Sequence, residues 1–387
     1  LQTLAGLARR RAIIRSAGRR YAFDHHQIQE VLVDQISPAL REEYHTLLAT
    51  ALEAREARGG VPAPEIHVDL ARHHLGGTHP ERGLPYLDAA LEHLGQTYRH
   101  EDYLALVEQA LLVPDVAVDR RCRWQLGRAH RLGMLGRADQ REEALGAALE
   151  LAAQAADPLL EGRAHLRLFE LLRHRGRMDE AERHLAEAEG FVATTEDADQ
   201  RLSLLLHRSS LAFDRGQLDD ARGLLEAMEA LAIEVGDTLS RARAVSQLGS
   251  VLFTEGRVGD ARLAMRRMLE VSRAEGDREA EVKALGNLGL MEVHIGHMDR
   301  ARDHLEASLE GAREIGDRTG ELYGYMSLGN LHDAVGNIAE ARACHERALA
   351  LARETGERVA EAIEDGNLGT VAFREGRLGA VLDRYQR

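Results

Sequence analysis

Histidine is the side chain best suited to holding a metal or passing a proton near neutral pH, and three groups of it stand out: His25-His26, His73-His74 with His79, and His294 with His297. A zinc site would need further cysteine, histidine or carboxylate ligands at fixed short spacing, and none accompanies these groups. Packing or surface histidines are the better reading, and His294 and His297 straddle an expected helix end, where a cation suits the dipole. A serine triad would need a strand–turn–helix elbow to activate the nucleophile, and no such pattern occurs. The phosphate loop G-x-x-x-x-G-K-[ST] is also missing. Cys122 and Cys344 are the only cysteines and lie far apart, which fits neither a disulfide framework nor a metal site and points to a reducing cytoplasm. The expectation is therefore a protein that is no enzyme, with no cofactor and no metal.

If these side chains do no chemistry, the elements that carry them must do something else. The 387 residues include only 7 prolines and 4% aromatics, and Ala, Leu, Glu and Arg dominate, so the chain is rich in strong helix formers. A 44% hydrophobic share with so few aromatics suits many thin interfaces better than one thick core. The net charge of -14 argues against a nucleic-acid surface. The basic stretch Arg9, Arg10, Arg11, Arg15, Arg19, Arg20 is short and reads as a solvated surface. No run approaches the roughly 20 apolar residues of a membrane span, and no signal peptide opens the chain. It begins at Leu1, and residue 387 falls inside a helix-like pattern, so a segment of a longer protein is expected.

Three ladders share one period. Glycines stand at 136, 176, 216, 256, 296, 336 and 376, with Ala181, Ala221, Ala261, Ala301 and Ala341 five places beyond five of them. Leu-Gly pairs recur at Leu248-Gly249, Leu288-Gly289, Leu328-Gly329 and Leu368-Gly369. Asp157, Asp197, Asp237, Asp277 and Asp317 form the third, closed by Glu357. The first glycines end a helix, where a residue without Cβ can turn left-handed. The aspartates begin the next helix by accepting orphan amide hydrogens. A mid-helix glycine such as Gly249 costs about 1 kcal/mol against alanine, which is explained if a neighbouring helix crosses there, and the alanine ladder supplies the other side of that crossing. Each unit is thus two helices with short links, a hairpin that buries its apolar faces only by stacking on its neighbours.

At these residues the pattern resembles the tetratricopeptide repeat family, whose small residue in the first helix matches Gly249, Gly289, Gly329 and Gly369 and whose alanine in the second matches Ala261, Ala301 and Ala341. The usual unit is about 34 residues; the longer unit here, with "GNLG" twice, is most similar to LGN/Pins-type adaptors. The resemblance covers about 120–387 and weakens before Gly176, where Arg141 replaces the alanine and Leu126-Gly127 is out of register. It implies an all-α, right-handed superhelical solenoid whose first helices line a concave face. The family's groove positions then fall on Arg243, Ser246, Gln247, Ser250 and Phe253; on Lys283, Asn287, Leu290 and His294; on Tyr323, Met326, Asn330 and Asp333; and on Ile363, Asn367, Thr370, Phe373 and Arg374. Amides there can bond a peptide backbone, because they donate and accept. The family's carboxylate clamp is absent, its places being held by Ser246, Gly286, Ser250 and Leu290.

The opening differs in kind. Helix, a β-hairpin turning at Gly18, and helix ("LQTLAGLARR", "RAIIRSAGRRYAF", "DHHQIQEVLVDQI") suggest a winged-helix remnant. With Tyr21, Phe23, His25, Ile28 and Glu30 it is similar to the junction of bacterial STAND-type signalling ATPases, in which an ATPase module precedes a tetratricopeptide sensor. The expected organisation is a remnant over 1–57, a linker and divergent hairpin over 58–115 hinged at "RGGVPAPEIH", and the array over 116–387. The resemblance implies a scaffold that binds a protein or peptide, with no nucleic acid or membrane as partner, acting as the sensor segment below upstream domains of the same polypeptide. A free-standing adaptor bridging two proteins, or the regulatory tail of a kinase, protease or transcription factor, remain the alternatives.

Overall fold

The forty-residue ladders become helix boundaries. A computed structural model describes residues 14–17, 20–23, 36–56, 64–195 and 197–377. The chain divides into two units, residues 1–97 with 108–114, and residues 98–107 with 115–387.

In the first unit, strands β1 (Ile14–Ala17) and β2 (Arg20–Phe23) pair antiparallel, with Ile14 opposite Phe23 and Ala17 opposite Arg20. The turn at Gly18, the helices expected on either side of the hairpin and most of the 58–67 hinge lie outside the described residues. Helices α1 (Pro38–Glu56), α2 (Pro64–Leu75) and α3 (Leu84–Gln96) follow. The histidines of α2 pack against neighbouring side chains. Buried His74 sits 2.8 Å from the Glu53 carboxylate, its ring stacks on Tyr86, and the Tyr86 hydroxyl donates to the same carboxylate. His73 meets His45 at 2.8 Å, and exposed His79 pairs with Glu81.

The second unit starts in α4 (His100–Leu111), whose residues up to 107 belong to it. Hairpins follow: α5 (Val118–Met134) with α6 (Ala138–Ala155), then α7 (Pro158–His174) with α8 (Met178–Ala193). Next come α9 (Ala198–Asp214) with α10 (Leu218–Val235), and α11 (Thr238–Thr254) with α12 (Val258–Glu275). The series closes with α13 (Arg278–Ile295) and α14 (Met298–Glu314), α15 (Arg318–Ala334) and α16 (Ile338–Thr355), and α17 (Arg358–Arg374). This is a helical-repeat solenoid.

Each ladder does what its chemistry allows. The first-helix glycines adopt φ between +68° and +92°. At Gly256 the turn is closed by its own N–H donating to Phe253 O and by Arg257 N–H donating to Leu252 O at 2.8 Å. Asp157, Asp197, Asp237, Asp277 and Asp317 each cap their helix by accepting a backbone N–H, whereas Glu357, one methylene longer, makes no such bond. A second glycine ladder at 236, 276, 316 and 356 ends the second helices in the same left-handed conformation. Its place is taken at 156 by Ala156, forced to φ +50°.

The mid-helix glycines sit where helices cross. A Cβ on Gly249 would lie 3.1 Å from Ala264 Cβ; on Gly289 it would strike Leu305, and on Gly329 the ring of His345. The alanines at 181, 221, 261, 301 and 341 are completely buried. The departures in the first hairpin have the same cause. Gly127 makes room for Tyr103 of the preceding helix rather than for the one that follows, and Arg141, in the alanine's place, lies along Gly133 and reaches Glu170 at 2.9 Å.

Candidate functional site

The residues expected to line a groove lie on the first helices α11, α13, α15 and α17. Of the residues expected there, Gln247 and Asn330 are exposed, and no side-chain hydrogen bond engages either among the described residues. Lys283, His294, Phe373 and Arg374 are exposed too, and Tyr323 is 45% exposed. The others contact the neighbouring repeat: Arg243 pairs with the Asp277 cap at 2.9 Å, the Phe253 ring meets His294 edge-on at 4.9 Å, and Asp333 pairs with Arg374 at 2.8 Å. Asn287 points its amide at Met265 Sδ, and Asn367 donates to Glu364 at 2.7 Å, so these two amides are turned to the repeats rather than to a ligand. Met326 departs from expectation outright. It is buried, packed with Leu322, Leu351 and Ala360.

The array comes back onto itself. His100 donates from Nε2 to the carbonyl of Ile315 at 2.7 Å, across 215 residues of sequence. Around it Met134, Val282, Ala312 and Ile315 form one buried cluster with Tyr98 against it. Further along the seam His130 lies 3.5 Å from Glu279 and His174 lies 3.4 Å from Glu357. A cleft of about 750 Å³ opens there, lined by Arg137, Arg175, Arg318, Arg353 and Arg358. Each of these arginines is paired with a carboxylate on its own side of the cleft.

Burial shifts several titratable groups of this unit. Burial and the nearby Glu357 push the Tyr323 hydroxyl up to about 12, although water reaches nearly half of the side chain. Burial drives His207 down to about 4, with Arg167 and Arg173 adding to it. Burial would raise Glu279, but His130, Lys283 and Arg131 outweigh it and bring the carboxyl to about 2. Glu170 is likewise held well below the ordinary carboxylate range by Arg141 and Arg167 against its burial. Desolvation lowers His100, His165 and His184 as well, and His165 and His184 meet Nδ1 to Nδ1 at 2.9 Å.

These shifts carry a sign. A histidine whose folded value lies below 6.5 takes up its proton more readily in the unfolded chain. The stability it supports is therefore complete above that value and lost as pH falls toward the folded one. Thermal melting is expected to drop between pH 7 and pH 5, and His207→Asn is expected to flatten the drop. Melting temperatures recorded across that range check this; a midpoint flat in wild type contradicts it.

Residues 278–354, spanning α13 to α16, match the tetratricopeptide repeat model. The Rap conjugation gene regulator of the plasmid pLS20, in complex with the Phr* peptide, superposes with a TM-score of 0.59 at 13% identity, over 84% of this chain and 96% of that one. A Rap protein complexed with competence and sporulation factor gives 0.54 at 17% identity, over 70% and 75%. A STAND ATPase with a tetratricopeptide repeat sensor from Pyrococcus horikoshii gives 0.46 at 15% identity, over 97% of this chain and 57% of that one. The two Rap likenesses are likenesses of fold. No curated protein matches the chain.

Proposed function

We propose that the second unit is a scaffold that binds a peptide or a protein segment along its inner face, by contact and not by catalysis. The observation that carries this is the pair Gln247 and Asn330, amides on α11 and α15 at the expected groove positions, neither in a side-chain hydrogen bond among the described residues. Such groups can bond an extended backbone whatever its side chains. That a solved Rap structure of similar fold holds the Phr* peptide supports the reading. Its test is a display selection against the full chain with a random dodecapeptide library. The selected peptides are expected to lose affinity for a Gln247→Ala/Asn330→Ala variant whose melting is unchanged, because neither amide holds the fold. Undiminished affinity overturns the assignment.

The finer reading makes this scaffold the sensor segment of a STAND-type ATPase. Its support is the residue pattern of the first ninety positions together with the paired strands at Ile14–Ala17 and Arg20–Phe23. No helix among the described residues is long and apolar enough to cross a membrane. Calorimetric binding of ATP to this chain would count against a division in which the nucleotide site lies in another segment.

A further inference from the structure

We infer that the ligand of this inner face is an extended acidic peptide carrying a bulky apolar side chain, an inference that rests on the groove reading above. Arg123 on α5, Arg163 on α7, Arg243 on α11 and Lys283 on α13 occupy one helix position at the forty-residue register, with Ser203 in the gap on α9. All four cations are exposed. Arg123 pairs with Asp119 and Arg243 with the Asp277 cap; among the described residues no carboxylate lies within ion-pair distance of Arg163 or Lys283, and Lys283 acts at longer range on Glu279. The acids of the same stripe are already engaged: Glu170 by Arg141, Asp214 by Arg173 and Asp333 by Arg374. So the charge left over inside is positive, on a chain whose net charge is -14. An acidic peptide is repelled by the net charge of the chain and attracted by this row of cations.

The ladder changes character further on. Its next two places are Tyr323 on α15 and Ile363 on α17, 45% and 48% exposed. Nearby on the same stripe Leu290 and Phe373 are 37% and 64% exposed. A chain laid along the inside therefore meets cations over α5 to α13 and open apolar surface over α15 to α17. An apolar side chain at one end of an acidic stretch satisfies both.

The selection described above also tests this. Enriched dodecapeptides are expected to be net negative and to contain a large aliphatic or aromatic residue. Their affinity, read by fluorescence anisotropy, should fall about tenfold or more in Arg163→Glu/Lys283→Glu, and fall again as salt rises from about 50 to 300 mM. Arg163→Glu removes no structural contact, so its melting should stay put, whereas Lys283→Glu is expected to lose some stability because Lys283 acts on Glu279. Arg163→Lys should bind as wild type does where Arg163→Glu does not. Enriched peptides that are neutral or basic and indifferent to the charge reversal overturn the inference while leaving the groove standing. A selection that yields nothing overturns both. Tight binding of single-stranded dodecathymidylate in place of any peptide overturns the inference in favour of a nucleic-acid ligand.

Discussion

Ala301→Arg is expected to destabilise the array by at least about 3 kcal/mol, the sum of overpacking and an unpaired buried charge. Ala301 is fully buried at the point where α14 crosses α13, and its carbonyl lies 3.3 Å from where a Gly289 Cβ would be. Its core partners Leu305, Leu309, Leu328 and Leu331 reach into the next hairpin, so a guanidinium there has no way out to water and pushes on α15 as well as α13. Glu306→Arg, on the exposed side of the same helix, introduces the same group at little cost. Urea unfolding of the two variants checks this. Equal midpoints would remove the basis for reading the alanine and glycine ladders as the two sides of one crossing.

That crossing was legible because it repeats. A contact made by residue type at one spacing leaves a periodic trace, and Gly256, Ala301, Gly289 and Asp277 each stand for a ladder whose members the structure places alike. The second glycine ladder at 236, 276, 316 and 356 was equally periodic and is visible in the sequence once the second helix ends are sought. The seam left no such trace. His100 meets Ile315 because small rotations at every repeat add up to a closed turn, and that sum is a property of the packing angles rather than of any spacing. The state of the residues expected at the groove was not legible. Residue type alone does not distinguish Asn330, which is free, from Asn367, which is bonded to a buried carboxylate, or an open methionine from Met326 in the core. The cation ladder could have been found by extending the register of Arg243 and Lys283 back to Arg163 and Arg123.

The bonded amide leads to the second large effect, in Glu364→Ala. Glu364 is fully buried on α17, and its Oε2 lies 2.8 Å from Nδ1 of His345, itself 2% exposed on α16. The other oxygen accepts from Asn367. The imidazole in turn fills the space left by Gly329 on α15, so one polar group fastens three successive helices. Truncating the carboxylate strands the buried ring and frees the half-buried amide, and removing one member of a buried pair costs about 3–5 kcal/mol. His345→Leu/Glu364→Leu, in which nothing polar is stranded, should lose much less than the two single changes together. Repeats in a solenoid contact only their neighbours, so the loss should be local. Amide hydrogen exchange is expected to quicken in α15 to α17 and stay slow in α7 to α10, and Asn367, released from Glu364, should lose its fixed orientation on the inner stripe. Uniform quickening along the whole array would show that the seam ties early and late hairpins into one cooperative body, and wild-type exchange throughout would show that the pair bears no weight.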